Sequence, residues 1–158
     1  MRASLKLTAL IMSACFIISC GYACKKQSKE TEIQKTTISA SLDSSFQLMH
    51  NQTAVIEPEN LSIKFVNVTE DSRCPVGVEC IWAGQAKIEV EIKREDEEPE
   101  IIVLTSQAGR EELAEMQVKD YFIKLLKVEP PRQKDVELKL SDYNITLIAS
   151  RNIENLSQ

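Results

Sequence analysis

The segment from Gln85 to Arg94 alternates strictly between apolar and polar side chains. Its apolar members are Ala86, Ile88, Val90 and Ile92, and the residues between them are Lys87, Glu89 and Glu91. Successive side chains of a β-strand point to opposite faces of the sheet. The pattern therefore predicts a strand that buries one face and exposes the other.

Shorter runs of the same kind recur along the chain between turn-forming residues. They lie at residues 46–49, 54–56, 61–65, 101–105, 121–128, 136–140 and 143–149. The first two read as a small hairpin around His50, and the phase slip at Val66, Asn67 and Val68 predicts a β-bulge. Residues 108–119 are ambiguous between one short helix and an ordered loop. We expect an all-β fold, an antiparallel β-sandwich or partly closed barrel of about seven or eight strands.

A short segment, residues 71–84, holds two of the cysteines and the single tryptophan. Pro75 and Gly77 lie between Cys74 and Cys80 and allow the chain to turn back, so a disulfide can form. Closing so small a loop contributes about 2 kcal/mol, enough to stiffen the loop rather than hold a domain together. A metal site and a redox-active pair are the alternatives, and we expect neither, since metal-ligand spacing and a C-x-x-C motif are both missing.

Three further residues of this segment bear on binding. We expect the Trp82 ring to cover the disulfide and close one end of the core; the alternative is an exposed ring that anchors a partner. Asp71 and Arg73 could pair across the mouth of the loop, and an exposed pair of that kind contributes only about 0–1 kcal/mol. The candidate binding residues are Asp71, Arg73, Pro75 and Trp82.

The order Asp71-Ser72-Arg73-Cys74-Pro75, Gly77-Val78, Cys80 and Trp82-Ala83-Gly84 resembles the signature of a family of small, largely uncharacterised bacterial envelope lipoproteins. Phe65 to Val68 and Tyr143 to Leu147 resemble its flanking strands, whereas Val128-Glu129-Pro130-Pro131 departs from its proline spacing. The resemblance covers residues 44–150. It implies a fold and a compartment, and no activity or functional residue.

The first residues have the features of an export signal. Arg2 and Lys6 precede an apolar stretch that is too short to remain as a membrane-spanning helix, which needs about 20 residues. Ile17-Ile18-Ser19-Cys20 resembles a lipobox, which implies cleavage before Cys20 and its modification by diacylglycerol and palmitate. Cys15 and Cys24 are the weaker alternatives. The absence of an aspartate at position 21 favours the outer membrane or cell surface over the inner membrane.

These features divide the chain into four parts. Residues 1–19 are the signal peptide, residues 20–45 a flexible polar tether, residues 46–150 the β-domain and residues 151–158 a tail. Cys24 remains without an assigned role.

Charge and composition narrow the function. Loss of Arg2 and Lys6 with the signal takes the net charge from −5 to −7, which argues against a nucleic-acid partner. The single histidine, His50, belongs to no nucleophile–base motif, so we expect no enzyme, no metal and no cofactor. We expect a lipid-anchored envelope domain that binds a protein or ligand through loop 71–84. The alternatives are a structural or assembly lipoprotein and a peptidase-inhibitor-like domain.

Overall fold

The computed structural model describes residues 36–152, which form two β-sheets. Sheet I has the strand order β1-β3-β4-β5-β6 and sheet II the order β2-β9-β8-β7. The strands are β1 (Thr37–Ser39), β2 (Ser45–Met49), β3 (Thr53–Ile56), β4 (Leu61–Asp71), β5 (Gln85–Arg94), β6 (Glu100–Gln107), β7 (Glu115–Val118), β8 (Tyr121–Glu129) and β9 (Asn144–Arg151). The expected all-β sandwich is confirmed, with two separate sheets.

The core lies between the two sheets and comes from the apolar phase of each strand. Strand β5 buries every second residue, as its alternation predicts. The largest fully buried side chains come from both sheets: Leu48, Ile56, Leu61, Ile63, Phe65, Ile88, Val90, Leu104, Ile123, Ile145 and Leu147. Because each sheet is apolar on one face only, stacking the two faces removes both from water.

The predicted bulge is confirmed. The register between β4 and β5 shifts between Phe65 and Asn67, and again between Val68 and Glu70. Each shift adds one unpaired residue to β4 and increases its twist. The bulges therefore turn the last residues of β4, which lead directly into the cysteine-containing segment.

Three expectations about the remaining segments need correction or refinement. Strands β2 and β3 do not form a hairpin, because β2 pairs with β9 in sheet II and β3 pairs with β4 in sheet I. Residues 108–119 contain a 3-10 turn at Glu111–Ala114 followed by β7, and residues 136–140 contain no strand. The backbone between β8 and β9 instead ends in a 3-10 turn at Leu140–Asp142.

The predicted flexible tether extends too far. Residues 37–39 of that segment form β1, which pairs with β3 in parallel. This part of the segment is ordered because Ile38, Ala40 and Leu42 pack against the core. A single apolar residue in a short polar strand gives little signal in the sequence.

The two ends of the sandwich carry different structures. We call the end at which β4 stops and β5 begins the loop end, and the opposite end the far end. The connection between β8 and β9 also lies at the loop end, whereas β9 finishes at the far end. No helix within residues 36–152 is long and apolar enough to cross a membrane.

Candidate functional site: the disulfide loop

The loop between β4 and β5 is closed by a disulfide, as predicted. Cys74 and Cys80 are bonded, with their Cα atoms 6.0 Å apart. Inside this ring the Val78 N–H donates to the Pro75 carbonyl at 3.2 Å, and Gly77 has a φ of 77°. Glycine at the third position with positive φ is typical of a type II turn. Gly77 thus allows the tight turn that brings the two cysteines together.

The Asp71–Arg73 pair forms, but it is not the exposed pair that the sequence led us to expect. The Arg73 Nε donates to Asp71 Oδ1 and Nη2 donates to Oδ2, both at 2.8 Å. The side chains are only 17% and 7% exposed, respectively. Because the pair is two-pronged and largely buried, removing either partner would leave a buried charge uncompensated, which costs far more than breaking a solvated pair.

Arg73 also reaches across to sheet II. Its Nη1 donates to the Val128 carbonyl at 2.6 Å, and its Nη2 donates to the Pro130 carbonyl at 2.9 Å. On the other side of the pair, the Tyr143 hydroxyl donates to Asp71 Oδ2 at 2.9 Å. We call Asp71, Arg73 and Tyr143 the loop-end cluster. It ties the base of the disulfide loop, in sheet I, to both ends of the β8–β9 connection in sheet II.

The loop-end cluster shifts the acidity of two of its members. Burial raises the pKa of Asp71, but the hydrogen bonds from Arg73 and Tyr143 lower it more, so the net pKa lies below its usual range. Burial and the hydrogen bond to Asp71 raise the pKa of Tyr143 to about 12. Near neutral pH Asp71 is therefore charged and Tyr143 is protonated, which is the state in which the hydroxyl donates to the carboxylate.

The two strands leave almost no space where the loop joins them. The Ser72 N–H donates to the Gln85 carbonyl at 2.8 Å, which extends the β4–β5 pairing by one further hydrogen bond. A Cβ atom on Gly84 would lie 1.7 Å from the Ser72 carbonyl oxygen, so only glycine fits without backbone movement. Beside this contact, Gln85 Nε2 and Lys87 Nζ both bind the Glu70 carboxylate.

The segment after β8 also supports the loop. The Val76 N–H donates to the Arg132 carbonyl at 2.9 Å. The loop is therefore held at its base by the loop-end cluster, at its side by residue 132 and internally by the disulfide.

The tip of the loop is apolar and exposed. Ile81 is 93% exposed and Trp82 is 76% exposed, and Val76 and Val78 are also exposed. We call these four residues the loop tip. The expectation that Trp82 covers the disulfide is wrong, and the alternative of an exposed ring is what the structure shows. Sequence reasoning did not single out Val76, Val78 or Ile81, although apolar residues in a turn-forming segment are the signal that could have done so.

His50 occupies a structural position in the turn between β2 and β3. Its Nε2 lies 3.1 Å from the Val66 carbonyl, so it must donate there, and its Nδ1 then accepts from the Asn51 amide at 3.2 Å. The ring packs edge-on against Phe65. Both ring nitrogens thus have partners. Among residues 36–152, no three His, Cys, Asp or Glu side chains are grouped as metal ligands.

Comparison of the chain with known proteins returned no matching family model, no matching curated protein and no matching solved structure. The predicted signal peptide and the predicted lipidation at Cys20 lie outside the described residues.

Proposed function

We propose that this protein is a lipid-anchored, non-catalytic domain of the cell envelope that binds through its disulfide loop. The observation that carries the proposal is the exposure of Ile81 and Trp82 on a loop whose base is fixed by a buried ion pair. Burying a large apolar side chain gains about 1.5–3 kcal/mol relative to leaving it in water. A surface that covers the loop tip would recover this free energy.

The rigidity of the loop strengthens the proposal. A flexible loop loses conformational freedom when it binds, and that loss subtracts from affinity. Here Arg73 makes hydrogen bonds to Asp71, Val128 and Pro130, so the base of the loop is ordered before any contact forms. Tryptophan is also among the residues that most often dominate binding energy.

The anchoring part of the proposal comes from the lipobox-like sequence Ile17-Ile18-Ser19-Cys20. Acyl chains at Cys20 contribute about 0.8 kcal/mol per buried CH₂, so more than one chain gives stable attachment. The resemblance of residues 71–84 to the envelope lipoprotein family supports the same compartment, with the outer membrane or cell surface favoured.

The binding proposal is tested by purifying the full lipidated chain from detergent-extracted membranes with and without Trp82→Ala. Because Trp82 is exposed, the variant should keep its unfolding midpoint. It should no longer co-purify with the protein or ligand that binds the wild-type loop. Ile101→Ala is the matched control, since Ile101 is also exposed but lies on β6. A Trp82→Ala chain that no longer folds would show that the residue is structural and would overturn the proposal.

The anchor is tested by intact-mass analysis of the mature protein. We expect a mass that begins at Cys20 and includes acyl chains, and we expect Cys20→Ser to abolish both acylation and cleavage. An assembly role, the second candidate, would instead show as a stoichiometric complex that survives extraction and is insensitive to Trp82→Ala.

A further inference from the structure

We infer that the loop tip docks into the surface of the lipid bilayer that anchors the chain. This inference rests on the proposed function and specifies what the loop binds. It follows from three features: the direction in which the chain enters the domain, the length of chain before it, and the chemistry of the loop tip.

The direction of β1 places the N-terminal side of the domain towards the loop end. Thr37 pairs with Thr53 at the start of β3, and Thr53 in turn pairs with Lys64 in β4. Strand β3 runs from Thr53 away from the loop end, because Ile56 pairs with Leu61 at the start of β4. Since β1 is parallel to β3, the chain enters from the loop end and runs towards the far end.

The chain between Cys20 and β1 is long enough for the loop tip to reach the bilayer that holds the acyl chains. From Lys64 to Asp71 there are about seven residues, which corresponds to about 23 Å along β4 at about 3.3 Å per residue. The roughly 16 residues between Cys20 and Thr36 can span at most about 55 Å. A bilayer holding acyl chains at Cys20 can therefore touch the loop tip while β1 stays in its sheet.

The chemistry of the loop tip suits a membrane interface. Tryptophan is enriched where lipid meets water, because its ring is apolar and its N–H needs a polar partner. Ile81, Val76 and Val78 supply the aliphatic surface beside it. The positive charge of Arg73 is directed inward and neutralised by Asp71, which leaves Glu79 as the only charged side chain between Cys74 and Gly84.

The charge of Glu79 and the net charge of the chain predict which lipid headgroups the loop tip contacts. Glu79 is exposed, and loss of Arg2 and Lys6 with the signal takes the net charge of the chain from −5 to −7. An anionic surface would repel both. We therefore expect docking on zwitterionic lipid, with contact weakened as anionic lipid is added.

Trp82 is the only tryptophan, so its fluorescence reports on the loop tip alone. The experiment places the full lipidated chain in phosphatidylcholine vesicles, with brominated phosphatidylcholine as a quencher within the acyl region. We expect a blue shift of the emission, strong quenching by the brominated lipid, and protection from iodide in the water. Emission that stays red, unquenched by lipid and open to iodide would overturn the inference.

Two variants sharpen the result. Ile81→Asp adds a charge beside Trp82 and should abolish both the blue shift and the lipid quenching. Ile101→Asp makes the same change on β6 and should leave both unchanged. Equal behaviour of the two variants would contradict docking by the loop tip.

Attaching the chain to vesicles through a tag, without acyl chains, tests docking independently of the anchoring proposal. The same chain with a hexahistidine tag in place of residues 1–20 is bound to phosphatidylcholine vesicles that contain a nickel-chelating lipid. Failure of the natural chain to float with vesicles would count against the lipid anchor, whereas Trp82 quenching on the nickel vesicles still decides docking. Shielding of Trp82 that appears only in native envelope membranes, and not in pure lipid, would identify a protein partner and overturn docking on lipid.

Discussion

At each end of the sandwich a carboxylate, an arginine and a tyrosine join the two sheets, with different results. At the loop end Asp71 binds Arg73 and Tyr143. At the far end Glu59 accepts a hydrogen bond from Tyr121 at 2.7 Å and forms an ion pair with Arg151. We call Glu59, Tyr121 and Arg151 the far-end cluster.

Burial and coordination distinguish the two clusters. The Arg151 and Glu59 side chains are 42% and 14% exposed, compared with 17% and 7% for Arg73 and Asp71. Asp71 also accepts three hydrogen bonds from Arg73, one of them from its backbone N–H. Both clusters therefore link the ends of strands in the two sheets. Only the loop-end cluster also holds the base of an exposed loop in place.

The largest effect should come from removing the carboxylate of each cluster. Asp71→Ala leaves the Arg73 charge buried beside carbonyl groups only, and we expect a loss of about 3–5 kcal/mol in the free energy of unfolding. Glu59→Ala should cost about 2–3 kcal/mol, because the buried Tyr121 hydroxyl loses its charged acceptor, whereas Arg151 can turn to water. Denaturant unfolding measures both.

The double variant Asp71→Ala/Arg73→Met is the control for this comparison. It removes the unpaired charge together with its partner, so part of the lost stability should return. Equal losses for Asp71→Ala and Glu59→Ala would show that burial does not separate the two clusters.

A smaller effect is expected from removing one hydroxyl at each end. Tyr121→Phe takes away one of the two groups that bind Glu59 and should cost about 1.5–2 kcal/mol. Tyr143→Phe leaves Asp71 fully bound by Arg73 and should cost about 1 kcal/mol. Equal losses for the two variants, measured by thermal or denaturant unfolding, would show that the number of groups bound to the carboxylate does not matter.

The smallest expected effect is a change in how the free energy of unfolding depends on pH. The pKa of Asp71 is lowered in the folded protein, so its contribution to stability is complete above about pH 4 and is lost as the pH falls through the lower, folded-state value. The pKa of Tyr143 is raised to about 12, so its contribution is complete below about pH 10 and is lost as the pH rises through about 12.

Each group can change the slope of stability by at most about 1.4 kcal/mol per pH unit. Asp71→Asn should flatten the acid side of the profile and Tyr143→Phe the alkaline side, in unfolding experiments carried out across pH. An unchanged acid slope in Asp71→Asn would show that other carboxylates account for it.

Alternation of side chains predicted most strands and the β4 bulge, because burial of one face follows directly from the period of two. Pairing was harder to predict. Strands β2 and β3 are close in sequence and suggested a hairpin, yet the Asn51 N–H donates to the Phe65 carbonyl and the chain crosses to the other sheet instead. Strand β1 was missed because Ile38 is its only apolar residue.

The disulfide was predictable because its cysteines are close in sequence. The burial of Arg73 was not, since its contacts with Val128 and Pro130 join residues 55 and 57 positions apart, and the Tyr143–Asp71 contact joins residues 72 positions apart. The exposure of the Trp82 ring could not be predicted either, because a single aromatic residue in a loop belongs to no alternating pattern that indicates whether it is buried.

The first residue of β1 and the last residue of β9 lie at opposite ends of the sandwich, which has a mechanical consequence. Thr37 lies towards the loop end and Arg151 towards the far end. Tension applied between these residues acts along the strands, so the hydrogen bonds of each strand pair are loaded together instead of one after another. A domain pulled in this way resists extension in shear, and the three paired residues of β1 and β3 are the first contact to carry the load.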